Sequence, residues 1–332
     1  MEDPSFPETL LEATRYFEDP QKCIDFLIPM RWPDGITCFH CKSREKHCYI
    51  RTRHVWMCKS CRKQFSLKRG TIFEGSQMGL DKWLVAMWLI VNAKNGISSC
   101  EIERSLGVTQ KTAWFMLQRI RYALHAGTFE KRMQGIVEAD ETYIGGKARN
   151  MHASKKSKKL KGRGTSGKVI VMGLLERRGE VRAMIVKDIQ TQTLQDQVRM
   201  HVEPGAELHT DSLASYVGLD KDYVHGVVNH AEAYVVDHVH NNGVENFWSL
   251  LKRSIKGTYV SVEPFHLFRY LDEQTFRFNN RKTNDQTRFL TAARMIGDKR
   301  LPYSSLIGET EEPRRGRKKP KSEENDNEEP QR

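Results

Sequence analysis

Apolar residues recur at helical spacing through Leu80, Trp83, Leu84, Met87, Trp88 and Val91, which predicts a helix with one buried face. Ser98 followed three residues later by Glu101 matches a capping box and starts a short helix that Gly107 ends. Thr109 then caps a second helix carrying Ala113, Leu117 and Ile120 inward, with Gln110, Lys111, Gln118 and Arg119 expected outward. Two short helices joined by a Gly-Val turn form a helix-turn-helix layout, in which Gln110, Lys111 and Arg119 are expected to meet DNA bases or phosphate.

Further along the chain the period changes. Gly135 to Gly146 reads as a strand ending in a glycine turn, with Glu138 and Asp140 on one face. Lys168 to Glu176 and Glu180 to Lys187 read as two strands joined by Arg177-Arg178-Gly179, and Thr193 to Val202 as a helix. Glu207 to Tyr216 reads as a strand that delivers Asp211 at its end, just before a helix start. At Asn242 a helix opens, packing Val244, Phe247, Leu250 and Leu251 on one side and presenting Glu245, Ser249 and Lys252 on another. Tyr259 to Leu271 and Phe276 to Arg288 read as later helices that both pack and touch DNA. The fold class expected is α/β in several domains.

The 332-residue length agrees with more than one domain. Shifts in composition set the boundaries: an N-terminal helix and cysteine-rich segment over 1–75, helices over 76–127, alternating strands and helices over 128–305, and a charged tail over 306–332. From Glu309 to Arg332 no apolar residue occurs, so the tail is expected to be disordered. Lys147 to Lys168 holds nine Lys or Arg and no acid, which predicts a loop gripping phosphate through Lys155, Lys156, Lys158 and Lys159.

Lys and Arg number 54 against 42 Asp and Glu, a net charge of +12, which favours a polyanionic partner such as nucleic acid. The longest apolar run, Trp83 to Val91, is far shorter than the roughly 20 residues of a membrane span. The acidic N-terminus lacks the pattern of a secretory signal, so a reducing, cytoplasmic setting is expected.

In that setting Cys38-Phe-His-Cys41 and Cys58-Lys-Ser-Cys61, sixteen residues apart, read as two knuckles placing four thiolates about one structural zinc. His40, His47, His54 and Cys48 lie nearby and are left outside the simplest ligand set. Basic residues interleaved with Tyr49, Trp56 and Phe65 suit contact with phosphate or bases.

Asp140 and Asp211 are expected on adjacent strands, where two carboxylates repel unless a cation sits between them. Glu245 is placed to complete such a metal site and Lys252 to hold a phosphate. Asn241 and Asn242 compete with Glu245 for the third position, and a full carboxylate binds a hard cation better than an amide.

The order of zinc ribbon, helix-turn-helix, V-E-A-D-E-T-Y-I-G-G-K, H-T-D-S and H-N-N-G-V-E-N-F-W-S-L-L-K-R resembles the DDE transposases of bacterial insertion sequences, over roughly residues 20 to 300. The resemblance implies an RNase H-like mixed-sheet domain, with Asp140, Asp211 and Glu245 as the acidic triad and Lys252 as the basic residue after it. It implies Mg²⁺ or Mn²⁺ as catalytic cofactor. Transposon ends and target DNA are the double-stranded partners it implies, in an assembly that is at least dimeric. Two rivals stand beside it: a non-catalytic DNA-binding regulator, and a His-Asn metal-finger nuclease built on His238, His240, Asn241 and Asn242.

Overall fold

The computed structural model describes residues 6–125, 131–145, 167–228 and 239–309. Residues 1–300 form one compact unit and residues 301–332 another, of which the described part holds a short helix at Tyr303–Leu306. The Lys147–Lys168 loop up to residue 166, with Lys155, Lys156, Lys158 and Lys159, and the charged tail from residue 310 lie outside the described residues.

Two N-terminal helices, α1 (Leu10–Phe17) and α2 (Pro20–Arg31), start from local signals: a Thr9–Glu12 capping box, and Asp19 capping a turn that opens with Pro20. Ala13, Phe17, Ile24 and Leu27 face a core shared with Trp83, Leu84 and Trp88 of α3 (Leu80–Asn92). Between them lies the ribbon, an antiparallel three-stranded sheet of β1 (His47–Ile50), β2 (Val55–Cys58) and β3 (Gln64–Ser66).

Helix α4 (Ser99–Leu106) forms with the Ser98–Glu101 capping box and the left-handed Gly107 that the pattern predicts. Thr109 caps α5 (Gln110–Leu124) by accepting the Thr112 N–H. One part of the helical reading fails. Gln118 and Arg119 do not face outward: they are 0% and 4% exposed. Gln118 Nε2 donates to the Tyr270 hydroxyl at 3.2 Å, and Arg119 Nη1 donates to the carbonyls of Ile72 and Glu74 at 2.7 and 2.6 Å. The second half of α5 is covered on the side that an isolated helix-turn-helix leaves in water, because α8 (Leu267–Asn279) returns from far along the chain to pack on it.

The contact between α5 and α8 is charged and dry. Arg121 Nε donates to Glu273 Oε2 at 2.6 Å with both side chains 1% exposed or less, and Arg277 and the Tyr259 hydroxyl meet the other oxygen of Glu273. A single buried carboxylate between two guanidinium groups is stable only because every partner is present.

The larger sheet has the order β6-β5-β4-β7-β8. Its central strand β4 (Ile136–Ile144) pairs antiparallel with β5 (Val169–Glu176), which pairs antiparallel with β6 (Val181–Val186). On its other side β4 pairs parallel with β7 (Glu207–Asp211), and β7 with β8 (Val224–Val228), a strand that the hydrophobic pattern did not announce. Helix α6 (Thr191–His201) covers one face through Leu194 and Val198. Helix α7 (Asn242–Arg253) covers the other through Val244, Phe247, Trp248 and Leu251. This is the RNase H-like mixed sheet of an α/β chain.

Two later boundaries differ from the sequence reading. Asp211 is followed by a 3-10 turn at Ala214–Tyr216, not an α-helix. The final helices are α8 and α9 (Asp285–Arg294), in place of Tyr259–Leu271 and Phe276–Arg288. A π-turn at Ser254–Tyr259 runs into Val260 at φ 62, which stops the chain from continuing as helix. Asn284 caps α9 by accepting the Thr287 N–H, so the helical run breaks between Asn280 and Asn284. No helix among the described residues is long and apolar enough to cross a membrane.

Candidate active site and zinc ribbon

The two cysteine knuckles are near copies. Lys42 N–H donates to Cys38 O at 3.0 Å and Arg62 N–H to Cys58 O at 2.9 Å, closing matching turns. Lys42 and Arg62 both take the left-handed conformation, at φ 60 and 58. The Sγ atoms of Cys38, Cys41, Cys58 and Cys61 all lie within 4.8 Å of one another. Four soft thiol donors in so small a volume fit a closed zinc shell. Two of the nearby histidines are engaged elsewhere, His40 Nε2 with Gln64 O at 3.2 Å and His54 Nδ1 with the Tyr49 hydroxyl at 3.0 Å.

The carboxylates are assembled differently. The parallel ladder between β4 and β7 pairs Ile136 with Glu207, Val137 with Leu208 and Glu138 with His209, and then ends. Two residues further on, on the same faces, stand Asp140 and Asp211. Asp140 Oδ2 accepts the Trp248 indole N–H at 2.9 Å, and its Oδ1 accepts the Glu141 N–H at 2.8 Å. Asp211 Oδ1 accepts the Leu213 N–H at 3.0 Å. Burial pushes Asp140 up to about 6, and the like charges of Asp211 and Glu245 add to the effect. Glu141, which takes the Tyr216 hydroxyl on its carboxylate, is pushed up to about 8 by burial and by Asp140 and Asp211.

Glu245 stands in the first turn of α7 and Lys252 in its last, both half-buried. Among the described residues, the four cysteines form the one group of three or more such ligands gathered within 4.8 Å. The three carboxylates are electrostatic neighbours without being drawn that close. A carboxylate that burial and like-charged neighbours hold toward its protonated state suits a hard divalent cation, whose charge removes the repulsion.

Asn241 is 1% exposed, and its amide plugs the gap where the β4–β7 ladder stops. Oriented for best bonding, its oxygen accepts the Asp211 N–H and its nitrogen donates to His209 O, each at 3.2 Å. Its polar atoms are thereby taken up by backbone. Asn242 is exposed at the start of α7.

Of the residues expected at DNA, Gln110 and Lys111 are exposed in the first turn of α5, with Gln110 Nε2 donating to Ser99 Oγ at 2.8 Å. Arg119 is buried against the segment after the ribbon, and its role there is to hold that segment to α5.

Sequence reasoning also passed over Gly173. It pairs with Asp140 across the β4–β5 ladder. A Cβ there would lie 2.5 Å from the Trp248 ring, so glycine is what lets the indole reach Asp140. An isolated glycine inside a strand pattern is the signal that marks such an approach.

Comparison with known proteins adds a further finding. The model of the ISXO2-like transposase domain matches residues 132–279, and that of a transposase zinc-ribbon domain matches residues 18–64. An uncharacterized transposase-like protein of Haemophilus influenzae is 31% identical over 112 residues, 90% of that protein and 33% of this chain. An uncharacterized protein in transposable element ISH50 of Halobacterium salinarum is 27% identical over 249 residues, 83% of that protein and 71% of this chain.

Proposed function

The chain belongs to the ISXO2-like transposases, and from that premise we propose that it binds the terminal inverted repeats of its own insertion sequence and carries out metal-dependent strand cleavage and strand transfer. The observation that carries this reading is the placement of Asp140 and Asp211 in phase at the ends of two parallel strands, with Glu245 of α7 close enough to raise Asp140.

In this reading Asp140, Asp211 and Glu245 would hold Mg²⁺ or Mn²⁺. Bound there, such ions supply the Lewis acidity that activates water for cleavage and then the freed 3′-hydroxyl for attack on target DNA. Trp248 fixes the Asp140 rotamer through its indole N–H. Lys252, two turns beyond Glu245 on the same side of α7, offers its ammonium to a phosphate of the strand being processed. Asn241, with its amide committed to backbone, leaves Glu245 as the third ligand. The exposed start of α5, with Gln110 and Lys111, meets the DNA end, and the four cysteines hold structural zinc. Joining two ends to one target requires at least two protomers.

The test uses duplexes carrying the inverted repeats that flank the gene, incubated with full-length protein and Mg²⁺. Asp140→Ala, Asp211→Ala and Glu245→Ala are each expected to abolish cleavage and joining while end binding in a mobility-shift assay persists. Strand transfer retained in any one of them removes that residue from the triad. Specific binding without any metal-dependent nicking by the wild type would instead make the protein a regulator.

A further inference from the structure

Helix α7 has no side-chain cap of its own, since Asn241 at its N-cap makes no capping hydrogen bond. The first-turn N–H of Val244 donates instead to Glu138 Oε2 at 3.0 Å, across 106 positions of sequence. Glu138 comes from within β4 and is 1% exposed. Its other oxygen accepts from Arg177 Nε at 2.8 Å. Arg177, in the turn after β5, reaches on with Nη2 to His240 O at 2.9 Å and to His209 Nδ1 at 3.1 Å. His209 is the residue opposite Glu138 in the β4–β7 register, and its Nε2 bonds Glu207 Oε1 at 2.7 Å.

We propose that Glu138 is a positioning residue for the carboxylate site, setting the distance between Asp140 and Glu245 by capping α7 from the strand that carries Asp140. The inference rests on the reading of Asp140, Asp211 and Glu245 as cation ligands.

Glu138 lies two residues before Asp140 on the same face of β4, and Val244 lies one residue before Glu245. The bond between them therefore ties the two segments next to the ligands, beside the tie that Trp248 makes to Asp140 itself. A slide of α7 by a single residue moves Glu245 by about 1.5 Å, more than the spread of distances that a coordinated Mg²⁺ tolerates. An apolar residue at 138 could fill the same space against Leu175. A carboxylate adds a directed acceptor and a negative charge at the helix N-terminus, where the helix dipole favours it.

The helix side of the contact is shaped to match. A Cβ on Gly243 would come 2.7 Å from Glu138 Oε2 and 3.0 Å from Leu175 Cδ2, so α7 approaches β4 this closely only with glycine there. Glycine in a first helical turn is otherwise unfavourable for entropy, and here it admits the cap.

The test measures Mn²⁺ affinity of the full-length protein by electron paramagnetic resonance without DNA, beside end binding by fluorescence anisotropy and thermal melting. Glu138→Ala is expected to weaken Mn²⁺ about 10- to 100-fold, the range found when groups that orient metal ligands are removed, while end binding stays at the wild-type level. Glu138→Gln, which keeps an oxygen facing Val244, recovers part of that loss. Gly243→Ala weakens Mn²⁺ from the helix side, and the Glu138→Ala/Gly243→Ala double variant is no worse than Glu138→Ala alone because the two act on one contact. Where Glu138→Ala fails to fold, Gly243→Ala and Glu138→Gln carry the test. Folded variants with wild-type Mn²⁺ affinity, alongside a Glu245→Ala control that has lost it, overturn the positioning role and leave the site reading intact. Wild-type affinity in Glu245→Ala overturns the site reading and this inference together.

Discussion

The zinc ribbon and the carboxylate cluster both gather candidate metal ligands, yet they are built on opposite principles. In the ribbon, four cysteines from 24 residues of chain are brought within 4.8 Å by two local turns. In the carboxylate cluster, Asp140, Asp211 and Glu245 come from two strands and a helix, and a ladder, an asparagine plug and a buried carboxylate hold those elements apart at a set spacing. A locally assembled cage depends on its metal to stay folded. A site assembled by a sheet keeps its frame without metal, which is what the proposed catalytic cation would need.

The largest effect that sharpens this contrast comes from metal removal. Structural zinc in small fingers binds with about 10–16 kcal/mol, so a strong chelator or Cys58→Ser is expected to unfold the ribbon, seen as loss of near-ultraviolet dichroism from Trp32 and Trp56. Chelation of Mg²⁺ or Mn²⁺ alone should leave the melting curve of the rest nearly unchanged. A ribbon spectrum indifferent to zinc would break the comparison.

Next in size is the charged contact between α5 and α8. Glu273→Ala leaves Arg121 and Arg277 buried without their carboxylate, and the expected cost is about 3–5 kcal/mol by urea denaturation. A loss below about 1 kcal/mol would mean that water reaches the site and that α5 is less tightly tied to α8 than the contact implies.

Gly173→Ala follows. Pushing a methyl group against the Trp248 ring is expected to cost about 1–3 kcal/mol in stability and to lower turnover by detaching the indole from Asp140. Trp248→Phe removes the hydrogen bond without a methyl group pressed on the ring, giving up part of the indole's packing as well. Equal turnover in Trp248→Phe and wild type would show that Asp140 needs no such support.

The smallest change tests how local the ribbon is. Lys42 sits at φ 60, a conformation that glycine adopts without the side-chain penalty. Lys42→Gly is expected to raise ribbon stability by up to about 1 kcal/mol in zinc-loaded protein. If it lowers end binding as well, the cation at that knuckle touches phosphate.

Much of this was legible because the signals act over short distances. The Ser98–Glu101 box, the Gly107 stop and the Thr109 cap are each decided within a turn of helix, and all three stand as read. The alternation through Glu138 and Asp140 placed both on one face, and in the structure that face meets Val244 and Trp248 of α7. Gln118 and Arg119 misled for the converse reason: a polar residue on a helix looks outward until a partner segment arrives, and Gln118 meets Tyr270 of α8 152 residues on, while Arg119 meets the Ile72 and Glu74 carbonyls 47 and 45 residues back. The purpose of Glu138 was equally hidden, because a carboxylate in a strand gains its meaning only from the helix end it caps.

By itself, then, the sequence determined the cysteine cage, the helix-turn-helix boundaries and the strands that carry Asp140 and Asp211, since spacing, caps and period-2 alternation are properties of neighbouring residues. Tertiary structure alone decided the depth of α5 in the fold, the register that sets Glu138 opposite His209, and the seat of α7 on β4. These depend on contacts between residues 71 to 152 positions apart, and which segments meet is settled by the packing of the whole chain.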